Sequence, residues 1–207
     1  MFAPLTDFPH PSWREPWDYG LGPSLLPPLP FDKRDKSPIF VASTNCEPVR
    51  TEYQKALMEH IQIDSYGACL NNMKGSSKSI PERYAPDFFR RAFEQTRTYK
   101  FTLVFMNADC DQWIDTRRLA ALSAGSVPIF MGTNLVDEWL PTMEDSIIKV
   151  WDFASPKASA AYVQKVADDD ELYSKYLAWK TRGYTYLQRQ QDGAGGRQRP
   201  LLAVQLV

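Results

Sequence analysis

From residue 38 to residue 180, short apolar runs alternate with longer stretches of helical periodicity, and this alternation narrows the available folds more than any other feature. PIFVAS (38–43) is a brief apolar run of the kind that forms a buried strand. Over residues 51–62, Tyr53, Ala56, Leu57 and Ile61 share one helical face, while Glu52, Lys55 and Glu59 lie off it. IDSYG (63–67) reads as a short strand and turn, and residues 71–84 as polar, irregular chain. Residues 86–97 read as a helix with Pro86 near its start. YKFTLVF (99–105) alternates and is rich in strand formers. Residues 115–124 read as a helix ending at Gly125, where a left-handed cap belongs. SVPIFM (126–131) is a strand, 134–139 a short helix stopped by Pro141, and 146–151 a strand. Two helices follow, over 155–167 and 169–180, each with an N-capping residue at its start.

Strands that alternate with helices build a parallel sheet covered on both faces. The expectation is therefore α/β: a doubly wound, Rossmann-like domain over residues 38–182. Such sheets hold ligands in loops at the carboxyl ends of their strands. Before the domain, residues 1–37 carry Pro4, Pro9, Pro11, Pro16, Pro23, Pro27, Pro28 and Pro30, which bars a regular helix or central strand there. With Phe8, Trp13, Trp17 and Tyr19 this lead reads as a strap or interdomain segment that orders on contact. The tail 183–207, with QRQQDGAGGRQRP, reads as disordered.

Composition excludes several classes. Of 207 residues, 24 are Lys or Arg and 25 are Asp or Glu, so the basic excess of a nucleic-acid binder is missing. No apolar run approaches the roughly 20 residues that cross a bilayer, and the first residues lack a signal pattern. Neither GxGxxG nor GxxxxGK[ST] occurs, so no dinucleotide fingerprint or P-loop is expected. Cys46, Cys69 and Cys110 show no CxxC spacing and only His10 and His60 accompany them, which argues against zinc. The cysteines are either three buried thiols or one disulfide plus a thiol, the latter in an oxidising lumen.

Three loops stand where a ligand belongs. In NCEPVR (45–50), Arg50 lies near a helix start, and a guanidinium beside free backbone N–H groups suits a phosphate or diphosphate. The plainer reading is a surface pair with Glu47 or Glu52. The loop 107–118 holds Asn107, Trp113, Asp115 and Arg117. There Trp113 suits stacking on a base or sugar and Arg117 suits a phosphate, or else the stretch is a solvated helix start. GSVPIFMG (125–132) is a strand bracketed by glycines. The motifs demand no metal, although Asp109-Cys-Asp111 is the one paired acidic motif after a strand that could tempt one.

Read in order, STNCEPVRTEYQKAL, IDSYGACLNN, YKFTLVFMNADCDQWIDTRR, LSAGSVPIFMG, DFASPKASAAYV and LYSKYLAWK resemble the donor domain of the α-1,3/4-fucosyltransferases across residues 37–182. The resemblance implies the donor half of a two-domain GT-B fold. It implies transfer of fucose from GDP-fucose to a glycan hydroxyl with inversion, a glycoprotein acceptor, no required cofactor, and the lumenal side of the Golgi membrane, the anchor lying upstream of this chain. Residue by residue, it places Arg50 on the diphosphate, Tyr99 near the nucleotide, Asn107 at the asparagine of F-E-N, Trp113 at the tyrosine of D-Y-[VI]-T-E-K, and Arg117 at that motif's phosphate-binding lysine. Met106 replaces the glutamate of F-E-N and Thr116 the glutamate of T-E-K; Asp115, in place of the motif's threonine, is the carboxylate that compensates if it points inward. The family's base is a glutamate of the acceptor domain, so no catalytic residue is assigned here. Two other readings stay open: a degenerate, non-catalytic relative that binds GDP-sugar or a partner, and a Rossmann-like module for an unrelated nucleotide or phosphate ligand.

Overall fold

The computed structural model describes residues 27–42, 46–75, 88–108, 116–140 and 146–181. Residues 1–26 and 182–207, and so most of the proline-rich lead and all of the glycine-rich tail, lie outside the described residues. Five strands, β1 (Ile39–Ala42), β2 (Asp64–Gly67), β3 (Phe101–Phe105), β4 (Val127–Met131) and β5 (Ile148–Lys149), form one sheet in the order β2-β1-β3-β4-β5. Every pairing is parallel. The helices are α1 (Pro48–Met58), α2 (Phe88–Arg97), α3 (Thr116–Ala124), α4 (Pro156–Asp168) and α5 (Asp170–Thr181). This is the doubly wound α/β architecture that the alternation predicts.

Strand side chains alternate between two faces, and both are apolar because both are covered. Phe40, Phe101, Leu103, Phe105, Val127 and Ile129 join Leu57 of α1, Val163 of α4 and Tyr173 and Leu177 of α5 in one buried cluster. Val104, Met106 and Phe130 join Ala121 and Leu122 of α3, with Val136, Leu140 and Trp179, in a second. Each such large apolar side chain contributes about 1.5–3 kcal/mol on burial.

Three elements depart from expectation. Helix α1 starts at Pro48, not residue 51, because Glu47 caps it and proline is pre-set for the first helical position. The expected strand 146–151 shrinks to Ile148–Lys149, with β4 as its one paired neighbour, and the chain then turns into a 3-10 segment at Val150–Asp152. The helix at Asn134–Trp139 is also 3-10, capped by Thr133.

In a parallel α/β fold the helix carboxyl ends gather at the amino edge of the sheet, where their carbonyls need donors. Helix α3 ends on Gly125 with φ +70°, and Ser126 N–H returns to Ala121 C=O at 3.0 Å. Buried Arg34 donates to the Gly125 carbonyl and, at 2.5 Å, to the Tyr173 hydroxyl. Lys180 donates to Ser123 C=O at 2.8 Å, and Lys100 to Ala167 C=O of α4 at 2.8 Å. The Lys100 ammonium also lies 3.1 Å from the centroid of the Phe31 ring. Residues 30–36 run along this edge: Lys100 N–H donates to Asp35 C=O at 2.9 Å, and Asp35 N–H to Thr98 C=O at 2.7 Å.

Burial first, then Arg97 and Arg34, lower the Lys180 ammonium from 10.5 to about 8. Between those values the unfolded chain binds the extra proton, so stability rises with pH. The opposing phenols Tyr99 and Tyr173, held protonated by burial, act only above their ordinary value of 10.0. The urea midpoint should therefore climb from about pH 8 to about pH 10, and Lys180→Met should flatten that climb. An unchanged slope in the variant would show that Lys180 does not supply it.

Candidate functional site

The strand order places a topological switch point between β1 and β3, where the chain reverses its direction of travel across the sheet. The crevice outside the carboxyl ends of these strands is bounded by the first turn of α1, by the residues after Phe105 and by the start of α3. Two helix N-termini, each with its partial positive charge, therefore lie at this edge, one on each face of the sheet.

Arg50 is the third residue of α1 and is 3% exposed. Its Nη1 donates to the Phe105 carbonyl, the last of β3, at 3.4 Å, so the guanidinium bridges from the β1 loop to β3. The packing of α1 fixes that reach. The Tyr53 ring meets Phe105 edge-on at 5.8 Å, and the Gln54 amide donates to Ser65 Oγ of β2 at 2.9 Å. Cys46, two residues before the helix, is disulfide-bonded to Cys69 just beyond β2. This corrects the reading of three buried thiols: two are joined, Cys46 is exposed, and Cys110 lies outside the described residues.

The amides of this first turn are not free, contrary to expectation. Pro48 has none. The Glu47 carboxylate accepts from Val49 N–H at 3.2 Å and from Arg50 N–H at 3.0 Å, and Thr51 N–H donates to the Glu47 carbonyl at 3.0 Å. Glu47 is the N-cap of α1, a role that the sequence reading, which paired it with Arg50 on the surface, passed over. Its signal was present: an acceptor side chain immediately before a proline that opens a helix.

The other expected site residues divide. Asn107 stands two residues past β3, half-buried, at the same edge as Arg50. Arg117 lies in the first turn of α3, also at this edge. Trp113 and Asp115 lie outside the described residues, as do Asp109 and Asp111. Tyr99 is a correction. It precedes β3 at the amino edge, six residues or about 20 Å of strand from Phe105. It is fully buried, donating its hydroxyl to Asp64 at 2.7 Å and sharing a hydrogen bond with Tyr66 at 3.0 Å. Burial and these bonds hold its phenol well above the ordinary range. Tyr99 thus ties β3 to β2 and does not face the crevice.

Met106 is 4% exposed and points to the α3 face of the sheet, away from Arg50's side. A Cβ on Gly132 would sit 2.5 Å from Met106 Cγ, which is why the residue after β4 is glycine. Among the described residues no group of three or more His, Cys, Asp or Glu is placed to hold a metal ion.

A doubly wound parallel sheet with a buried arginine and two helix starts at its switch point is the architecture of an α/β ligand-binding domain. The family model "Glycosyltransferase family 10 (fucosyltransferase) C-term" matches residues 31–195, and the chain belongs to this family. Its sequence is similar to GDP-fucose protein O-fucosyltransferase 3 of Homo sapiens, with 34% identity over 174 residues, covering 78% of this chain and 34% of that protein. The Xenopus laevis protein of the same name is 36% identical over 155 residues, covering 71% of this chain and 31% of that one. The chain thus spans about a third of the length of these relatives. In fold it is similar to an α1,3-fucosyltransferase crystallised with GDP-fucose, at a TM-score of 0.54 and 20% identity, over 70% of this chain and 40% of that one. The sheet is accordingly of the fucosyltransferase GT-B type.

Proposed function

We propose that this chain binds GDP-fucose in the crevice between β1 and β3 and forms the donor side of an inverting fucosyl transfer. The observation that carries the proposal is the Arg50 guanidinium, buried at the switch point and held against the end of β3. Transfer leaves a diphosphate whose charge must be stabilised as the glycosidic bond breaks. Arg50 offers a planar, permanently charged fork for it. The N-terminus of α3, whose first turn carries Arg117, adds positive potential at this edge. The acceptor is a protein or glycoprotein hydroxyl, a reading supported by the names of the relatives. By family resemblance the base that deprotonates it is a glutamate of the acceptor side, and no carboxylate among the described residues is given that role. The place of action is the Golgi lumen, and the Cys46–Cys69 disulfide supports an oxidising compartment. No described helix is long and apolar enough to cross a membrane.

Calorimetric titration of the chain with GDP and GDP-fucose tests the donor site. Saturable binding is expected, and ligand at 100 times its Kd should stabilise the fold by about 2.7 kcal/mol. The absence of both heat and thermal shift at millimolar GDP would sink the assignment. One observation favours the second reading, a GDP-sugar binder without transfer: the buried apolar Met106 where the resemblance expects a glutamate. Fucose transfer to a protein acceptor by the full-length protein separates the two.

A further inference from the structure

The aim of Arg50 is set in part from the far side of β1. We propose that Gln54 is a positioning residue for Arg50: its buried amide tethers α1 to β2 and so holds the guanidinium in register for the donor diphosphate. The inference rests on the donor-site reading above and extends it to a residue one helical turn away from the crevice.

Residues four apart share a helix face, so Arg50 and Gln54 both face the sheet. Arg50 is 3% exposed and Gln54 0%. They reach different strands. Arg50 Nη1 donates to the Phe105 carbonyl of β3, and Gln54 Nε2 donates to Ser65 Oγ of β2. β2 and β3 are the two neighbours of β1, so α1 is tied to the strand on either side of the one it follows. The two ties differ in quality. At 3.4 Å the bond to Phe105 is longer than the usual limit of about 3.2 Å, whereas the bond to Ser65 is 2.9 Å. A phosphate competes for the guanidinium, but it has no claim on the amide at Ser65. Apolar contacts such as that of Leu57 are non-directional and let a helix roll, while a hydrogen bond resists it. Ser65 is itself fixed. Its Oγ donates to the Cys69 carbonyl at 3.0 Å and its N–H to Asn72 Oδ1 at 2.8 Å. Cys69 in turn is joined to Cys46, two residues before α1. The start and the body of the helix are thus braced against one short stretch, residues 65–69. The tether has a cost to the fold. Gln54 Oε1 is buried and accepts no hydrogen bond among the described residues, a penalty that an apolar side chain of the same length avoids. Space filling therefore does not account for an amide here, and the aim of Arg50 does.

Gln54→Met keeps the length of the side chain and removes the amide. It is expected to melt no lower than the wild type and yet to bind GDP about 5-fold more weakly, a split that loss of packing does not produce. Because Gln54 acts through the guanidinium, its effect should depend on residue 50. Lysine on its flexible stem finds a phosphate from either roll of the helix, so in an Arg50→Lys background the same substitution should cost less than about twofold. Ser65→Ala removes the other end of the tether and should weaken GDP binding as Gln54→Met does. Calorimetric titration with GDP, beside the thermal midpoint of each protein, compares the wild type, the three single variants and the double variant. An equal loss in the arginine and lysine backgrounds would overturn the proposal, since Gln54 would then support the domain and not Arg50. Wild-type affinity in either Gln54→Met or Ser65→Ala would also overturn it, while leaving the donor site in place. If the wild type itself binds no GDP, the donor-site reading falls and this proposal falls with it.

Discussion

Replacing Arg50 with methionine is expected to weaken GDP binding about 100-fold while the fold survives. Methionine is chosen because it fills most of the aliphatic path of the buried arginine, so the loss reports on charge and hydrogen bonds and not on a cavity. A charge-assisted hydrogen bond to a phosphate in a partly desolvated crevice is roughly twice as strong as a neutral one. Truncating one partner of such a pair costs about 2–5 kcal/mol, and each 1.4 kcal/mol is about tenfold in affinity. Arg50→Lys should fall between the two, since lysine keeps the charge as a point but loses the fork that reaches the Phe105 carbonyl and a phosphate together. Calorimetry with GDP measures all three proteins. A methionine variant that binds as tightly as the wild type would remove Arg50 from the site.

The second large effect concerns position 106, where Met106 stands in place of the glutamate that the resemblance implies. Met106→Glu has the form of a restoration, yet it is expected to destabilise the domain by about 3 kcal/mol. The side chain lies in one buried cluster with Val104, Leu122, Phe130 and Val136, and its Cγ takes the space that a Cβ on residue 132 would need. A carboxylate there is buried with apolar neighbours, which raises its folded-state pKa. The unfolded chain then releases its proton first, from about pH 4.3 upward, so the deficit grows as pH rises through that value and is fully present at neutral pH. At about 2–4 °C per kcal/mol for a chain of this size, the thermal midpoint should drop by about 6–12 °C near pH 7 and recover part of that near pH 4. A variant as stable as the wild type would mean that the side chain at 106 has an outlet toward the crevice.

The fold was legible because alternation is a global signal. Phe40, Leu103 and Phe130 are apolar because helices cover both faces of the sheet, and a run such as FTLVF leaves few alternatives. Element ends were less legible, since they are decided by single contacts. The start of α1 turns on one carboxylate and one proline, and β5 ends after two residues because the chain turns at Val150 into a 3-10 segment. The placement of Arg50 and Asn107 at the carboxyl edge of the sheet was legible, because both stand in loops or turns that follow a strand end. The placement of Tyr99 was not, because a tyrosine two residues ahead of a strand sits at the amino edge of the sheet whatever motif it belongs to. Glu47 was legible in principle, yet an acid beside an arginine reads first as its surface partner. Only the geometry shows its oxygens on the backbone amides instead.

The Cys46–Cys69 bond has a consequence for the biosynthesis of the protein. It closes a segment with a sequence separation of 23 that contains the whole of α1 and the edge strand β2. A loop of that size contributes about 3 kcal/mol, most of it by restricting the unfolded chain. The bond also sits next to the residue that caps α1, so it stabilises the domain and registers Glu47 and Arg50 against the sheet at the same time. In a newly made chain whose thiols remain reduced, the described moorings left to the opening turn of α1 are side chains such as Tyr53 and Gln54. Oxidation is therefore a finishing step for the site as much as for the fold, and the chemistry of the compartment in which the chain matures enters directly into how well Arg50 is aimed.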